Sequence, residues 1–142
     1  MSVDYSEFIA FRDKFERLSN EFEVFLRRFL TKQALDVLAK TKRNTPVQTG
    51  TLRGSWTIGE VVRDGDVLKV TISNETEYAK YVEYGHMNKS HDKWINGQFM
   101  CSLSIIDVKK KIPKRFQREF EAWFASFNFC FPAAKRRGWR WR

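Results

Sequence analysis

Residues 44–56 read NTPVQTGTLRGSW. This stretch decides the fold, because it separates a long helical pattern from the first strand pattern of the chain. Pro46 disfavours helical geometry in Thr45 before it, so the preceding helix stops here. Gly50 takes a positive φ at no steric cost, which suits a turn. The stretch holds no nucleophile beside a base, no metal-ligand pair and no phosphate-binding glycine loop.

Upstream, residues 5 to 43 carry a helical period. Phe8, Phe15, Phe22 and Phe29 recur every seven residues, with Phe11, Leu18 and Phe25 on the intervening turns. A second stripe of Leu26, Leu30, Ala34, Val37 and Leu38 predicts burial on two sides in the later half. Ser19-Asn20 marks a break, with either residue as the cap of a second helix. A coiled coil is the alternative reading of the Phe heptad. Phe at both seam positions is bulky for a close two-stranded seam, and the repeat ends by Lys32.

Downstream, residues 55–62 and 67–73 read as two strands around the hairpin signal Asp64-Gly65. Residues 74–86 read as a short helix or irregular aromatic segment ending at Gly85, with Asn74 or Thr76 as its cap. Residues 86–97 are polar and aperiodic and read as an exposed loop. A helical region spans 98–128, where Pro113 either kinks the helix or opens a second one. Ile112, Phe116, Phe120, Trp123, Phe124 and Phe127 form its apolar face.

At 142 residues the chain is expected to be one domain with a real core, and its 42% apolar content excludes intrinsic disorder. No apolar run approaches the ~20 residues that span a bilayer, so no membrane partner is expected, and the N-terminus shows no signal peptide pattern. Cys101 and Cys130 lack a CxxC companion and read as reduced, buried thiols of a cytosolic protein. His86, His91 and Asp92 match no metal-ligand spacing, and nothing assembles around Glu83 and His86 as an acid–base pair.

The charge is uneven. Residues 1–108 hold 15 basic and 15 acidic side chains, whereas residues 109–142 hold 11 basic and two acidic, so this last segment carries the whole net charge of +9. Such asymmetry points to an acidic or anionic neighbour. Lys110, Lys111, Lys114, Arg115 and Arg118 form either an anionic-surface patch or the solvated side of an amphipathic helix. The ending KRRGWRWR places Trp139 and Trp141 among Lys135, Arg136, Arg137, Arg140 and Arg142. It reads as a DNA contact, an anchor in a neighbouring subunit, or a frayed terminus. Two solvent-exposed Trp would be unusual in a monomer, which favours an interface.

Two stretches carry a family resemblance: AKTKRNTPVQTGTLRGSW, and VTISNETEYAKYVEYGH after the hairpin. They resemble the bacteriophage minor tail and neck proteins called tail-component or tail-completion proteins. The first pattern falls on Thr45, Pro46, Val47, Thr49, Gly50, Leu52, Arg53, Ser55 and Trp56. The second falls on Asn74, Tyr78, Ala79, Tyr81, Val82, Glu83 and Gly85. WINGQFM, with Trp94, Gly97, Phe99 and Met100, resembles members from contractile tail-like particles. The likeness covers residues 26–128 and leaves out the Phe-rich start and the basic ending.

The resemblance implies an α+β subunit, with a long N-terminal helical segment and C-terminal helices packed on a small antiparallel β-sheet, as in tail terminators. The chain is expected to form one domain over residues 1–128 with a basic aromatic extension over 129–142. The resemblance also implies a ring of copies, sixfold on the tail, at the head-proximal end of a phage or phage-like particle. Its partners would be itself, tube and sheath subunits, neck or connector proteins, and DNA in the channel. No enzyme activity and no cofactor are implied. In such a subunit Pro46 and Gly50 would fix the change of direction between helix and hairpin, Trp56 would bury a large apolar area where they meet, Arg53 and Glu83 would pair as guanidinium and carboxylate, and the opening stretch would be scaffold and not a site of chemistry. A DNA-binding accessory protein acting through the basic end is the alternative.

Overall fold

The structure is a computed structural model that describes residues 6–48 and 50–127, without the side chains of residues 6–8 and 11. Helix α1 (Ser6–Asn44) runs unbroken for 39 residues. The expected break at Ser19-Asn20 does not occur. Both residues are exposed and helical, where Ser and Asn each cost at most ~0.7 kcal/mol relative to Ala. The buried face of α1 follows the second apolar stripe: Phe29, Gln33, Ala34, Val37 and Thr41 are buried, with Leu26, Leu30 and Leu38 half-buried. The Phe heptad is only partly core. Phe15 is 63% exposed, whereas Phe22 and Phe25 are half-buried and their rings stack toward Phe29 at 6.2 and 6.3 Å between centroids.

Beyond Pro46 the chain turns at Gly50, whose φ of 82° lies in the left-handed region. A single helical turn, α2 (Thr51–Gly54), intervenes before the first strand. Four strands follow: β1 (Trp56–Ile58), β2 (Val62–Asp64), β3 (Val67–Lys69) and β4 (Ile72–Asn74). β1 pairs with β4 and β2 with β3, both antiparallel. The two long strands expected from sequence are therefore each interrupted. The Gly59 N–H still donates to the Thr71 carbonyl at 2.8 Å, which carries the ladder across the gap. Asp64 pairs with Val67, so the turn consists of Gly65 and Asp66.

Helix α3 (Ala79–Tyr84) ends at Gly85 as the sequence suggests. Neither Asn74 nor Thr76 caps it, and Tyr78 occupies the cap position without a side-chain bond. Asn74 instead accepts the Thr76 N–H and hydroxyl at 3.0 and 2.6 Å and donates to the Leu52 carbonyl at 2.8 Å, which ties β4 to α2. The segment read as a loop contains a hairpin, β5 (Gly85–Met87) with β6 (Trp94–Asn96). Three residues per strand are too few to show a period in sequence. Its connection is closed by Asn88, which accepts the N–H groups of Asp92 and Lys93 at 3.1 and 3.3 Å.

Helix α4 (Met100–Ser126) continues through Pro113, so no second helix opens there. The fold class is α+β, with three two-stranded antiparallel sheets among the described residues in place of one small sheet. The chain divides into two compact units, Met1–Ile112 and Pro113–Arg142. In the first, Leu52, Trp56, Ala79 and Met100 form a buried cluster, with Leu38, Ile72, Val82 and Cys101 packed against it. In the second, the expected apolar face is a run of rings: Phe116–Phe120 and Phe120–Trp123 at 5.7 Å, then Trp123–Phe127 at 4.8 Å. The boundary expected at residues 128 and 129, Thr49, Cys130 and the cluster Lys135, Arg136, Arg137, Trp139, Arg140, Trp141 and Arg142 lie outside the described residues.

Candidate functional site

The two motif stretches meet at the core of the first unit. Thr45 is buried at the end of α1, and its hydroxyl donates to the Thr41 carbonyl at 2.6 Å. The same oxygen accepts the indole N–H of Trp56 at 3.0 Å. Trp56 is only 6% exposed, so its one polar atom is satisfied inside the core, as a buried indole requires. The sequence places Thr45 in the family motif and gives the change of direction to Pro46 and Gly50. The Thr45 hydroxyl is what joins helix and hairpin.

Glu83 is 4% exposed, and its carboxylate faces the first turn of α4. It accepts the Cys101 N–H at 3.0 Å, the Ser102 N–H at 2.8 Å and the Ser102 hydroxyl at 2.7 Å. The free amides and dipole at a helix N-terminus favour an anion there. The expected pairing with Arg53 does not form. Arg53 is exposed and has no ion-pair partner among the described residues, because α4 already occupies both carboxylate oxygens. One signal for this was present in sequence: the first turn of α4 contains no acidic residue of its own.

Backbone contacts reinforce the junction of α3, the β5–β6 hairpin and α4. Gln98 N–H donates to the Val82 carbonyl at 2.8 Å, and Phe99 N–H to the Glu83 carbonyl at 3.0 Å. A Cβ at Gly97 would overlap the Glu83 carbonyl and lie 2.7 Å from the Gly85 nitrogen. The chains touch here without room for a side chain. Ala79 is buried beside Trp56 in the core cluster.

The motif tyrosines do not share this interior. Tyr78 and Tyr81 are 43% and 47% exposed, and Tyr84 is 62% exposed. Val47 is exposed as well, and a groove of ≈ 490 Å³ is lined by Pro46, Val47, Gly50, Leu52, Tyr78 and Val82. The motif residues therefore fall into two sets. Thr45, Leu52, Trp56, Ala79 and Glu83 hold the fold, while Val47, Tyr78 and Tyr81 face outward.

His86 lies edge-on to the Tyr81 ring at 6.0 Å between centroids, and His91 sits in the hairpin connection. Among the described residues no group of three or more His, Cys, Asp or Glu could hold a metal ion. No helix among them is long and apolar enough to cross a membrane. The Cys101 thiol is pushed up by burial, an effect opposed by the Thr41 hydroxyl and reinforced by Glu83. It is protonated at neutral pH and is a poor nucleophile.

The basic residues of α4 are not equivalent. Asp107 accepts Lys111 at 3.3 Å and also pairs with Lys40 of α1. Lys40 first and Lys111 second hold the Asp107 carboxyl below its ordinary range, and Asp107 raises Lys40 in turn. Arg115 is half-buried. Lys110, Lys114 and Arg118 are exposed and make no ion pair among the described residues.

Comparison with known proteins gives one family. The model described as "Bacteriophage HK97-gp10, putative tail-component" matches residues 9–85, more than half of the chain. The match begins inside the Phe-rich part of α1, which the motif reading had set aside, and ends at Gly85. No curated protein and no solved structure matches.

Proposed function

The chain belongs to the HK97-gp10-like family of bacteriophage tail components, and from that membership we propose that it is a structural ring subunit at the head-proximal end of a phage or phage-like tail. Copies associate head-to-tail through a heterologous interface that closes into a ring, six copies on the tail. One ring face docks on the last ring of the tube and stops its growth. The other presents a surface to the neck or connector. The likeness of WINGQFM to members from contractile particles favours a contractile tail with a sheath as neighbour. The role is assembly, without catalysis or cofactor.

The observation that carries this reading is the outward placement of Val47 and Tyr78 on an open, largely apolar groove, with Tyr81 exposed as well. None of the three is needed to fill the core. Tyr is enriched where protein surfaces meet, because it offers a large apolar area with one polar end. The wider surface agrees. Among the described residues eight apolar side chains are buried, and eighteen large ones are exposed. A subunit that completes its core against neighbours has this imbalance.

Immunogold labelling of purified particles tests the position. Label confined to one end, at the head-side tip or the blunt end of a headless tail, is expected. Label along the tube, or none on particles, would overturn the terminator reading.

A further inference from the structure

We propose that the β5–β6 hairpin of one copy docks in the groove lined by Val47, Leu52, Tyr78 and Val82 of the next copy, with Trp94 as its anchor. The inference rests on the ring reading and names the two surfaces that close the ring. Trp94 is 54% exposed, and all three residues of β6 are exposed. Met87 stands directly opposite Trp94 across the hairpin, so the two side chains share one face, and Met87 is exposed as well. An exposed indole beside a flexible thioether suits a protein contact, where Trp is enriched at the energetic centre.

The groove is the matching surface. Its walls are apolar, and its volume of ≈ 490 Å³ can admit a large side chain. Tyr78 offers an exposed ring for stacking. A Cβ at Gly85 would stand 2.9 Å from the Trp94 ring, so the indole lies just after α3, whereas the groove opens at Tyr78, just before it. Trp94 does not line the groove of its own copy. Anchor and groove therefore meet between copies, head to tail, in the heterologous kind of contact that closes rings.

Charge points to a second copy as the occupant. Lys89 and Lys93 of the hairpin are exposed and make no ion pair among the described residues, while Asp92 is held by Asn88 at 2.6 Å. Glu75 and Glu77, just before Tyr78, are exposed and likewise make no ion pair among the described residues. Lys80 is drawn over the Tyr81 ring at 5.0 Å. Arg53 stands on α2, beside Leu52, so the lysines of the incoming hairpin are directed to the α3 side of the groove. Opposite charges at a rim orient such a contact and fix its register.

The test is sedimentation velocity of the full chain over a concentration series at low salt. Trp94→Ala is expected to weaken self-association by at least about tenfold. Lys93→Glu and Glu77→Lys are each expected to weaken it by about tenfold, because each sets like charges against one another. An equal mixture of these two variants is expected to associate again, since the hairpin of each then meets a groove of opposite charge in the other. Only this chain is present, so recovery in the mixture identifies a second copy as the occupant. Both charged positions are exposed, so the variants should fold, and circular dichroism checks this. Folded variants that associate as the unaltered chain does, or a mixture that fails to recover, would overturn the docking and leave the ring reading standing. A wild-type chain that is monomeric at every concentration would also overturn it, and the labelling of tail ends then decides separately whether the ring reading survives.

Discussion

The carboxylate of Glu83, on α3, accepts both the backbone N–H and the hydroxyl of Ser102, on α4, at 2.8 and 2.7 Å. With the Cys101 N–H as third donor, the acid acts as the cap that the first turn of α4 does not supply from its own sequence. Two segments nearly twenty residues apart are thereby fixed at one point.

Removing this acid should therefore be costly. Glu83→Gln keeps one acceptor oxygen but loses the charge and one donor pairing, and is expected to destabilise by roughly 1–3 kcal/mol. Ser102→Ala removes only the hydroxyl bond and should cost about 1 kcal/mol. Urea unfolding followed by tryptophan fluorescence measures both. Equal effects of the two substitutions would mean that the amides of α4 contribute nothing to the cap.

The bond between Trp56 and Thr45 gives a second test. Trp56→Phe deletes the indole N–H, and the Thr45 hydroxyl keeps its bond to Thr41. Thr45→Val leaves the indole N–H buried without an acceptor, which is the costlier error at roughly 1–3 kcal/mol. The double variant should cost less than the sum of the singles, since the orphaned donor is then gone. Strict additivity would show that the two side chains act independently.

Which parts of this site were legible in sequence follows from the range of each interaction. Pro46, Gly50 and the Gly85 stop act within a few residues, and each falls where the sequence places it. The apolar stripe from Leu26 to Leu38 also follows from its helical period. Glu83 was different. Arg53 was a chemically reasonable partner, but the choice between a guanidinium and a helix terminus depends on where α4 starts in space. The hairpin of β5 and β6 was hidden because its strands are three residues long and lie in a polar stretch. The basic residues of α4 are visible in sequence as lysines and arginines. That Lys111 is engaged while Lys110 is not needs the position of Asp107 and Lys40.

Gly97 makes the tightest backbone approach of the site. Gly97→Ala would drive a methyl group into the Glu83 carbonyl and the backbone of Tyr84 and Gly85, none of which is a flexible side chain. Destabilisation upward of about 2 kcal/mol is expected. At Gly50 the space is open and only the left-handed backbone matters, so Gly50→Ala should cost about 1–2 kcal/mol. Denaturant midpoints of the two variants would show the order, and a milder effect at Gly97 would contradict the packing.

The contact of Lys40 with Asp107 sets a pH dependence with a defined sign. Asp107 has a carboxyl pKa lowered from its ordinary 3.8, first by Lys40 and then by Lys111. Its contribution to stability is therefore present above that ordinary value and is lost as pH falls through the lowered one. Lys40 has a pKa raised from 10.5, first by Asp107. Its contribution is complete below that value and is lost as pH rises through the raised one. Between these limits the pair should be insensitive to pH. Thermal unfolding of Asp107→Asn beside the unaltered protein should show a constant gap in Tm across neutral pH, narrowing below about pH 4. The gap should also shrink with added salt, because both groups are in reach of solvent. A gap that widens on acidification would mean that Asp107 is stabilised in its protonated form, opposite to the charges placed around it.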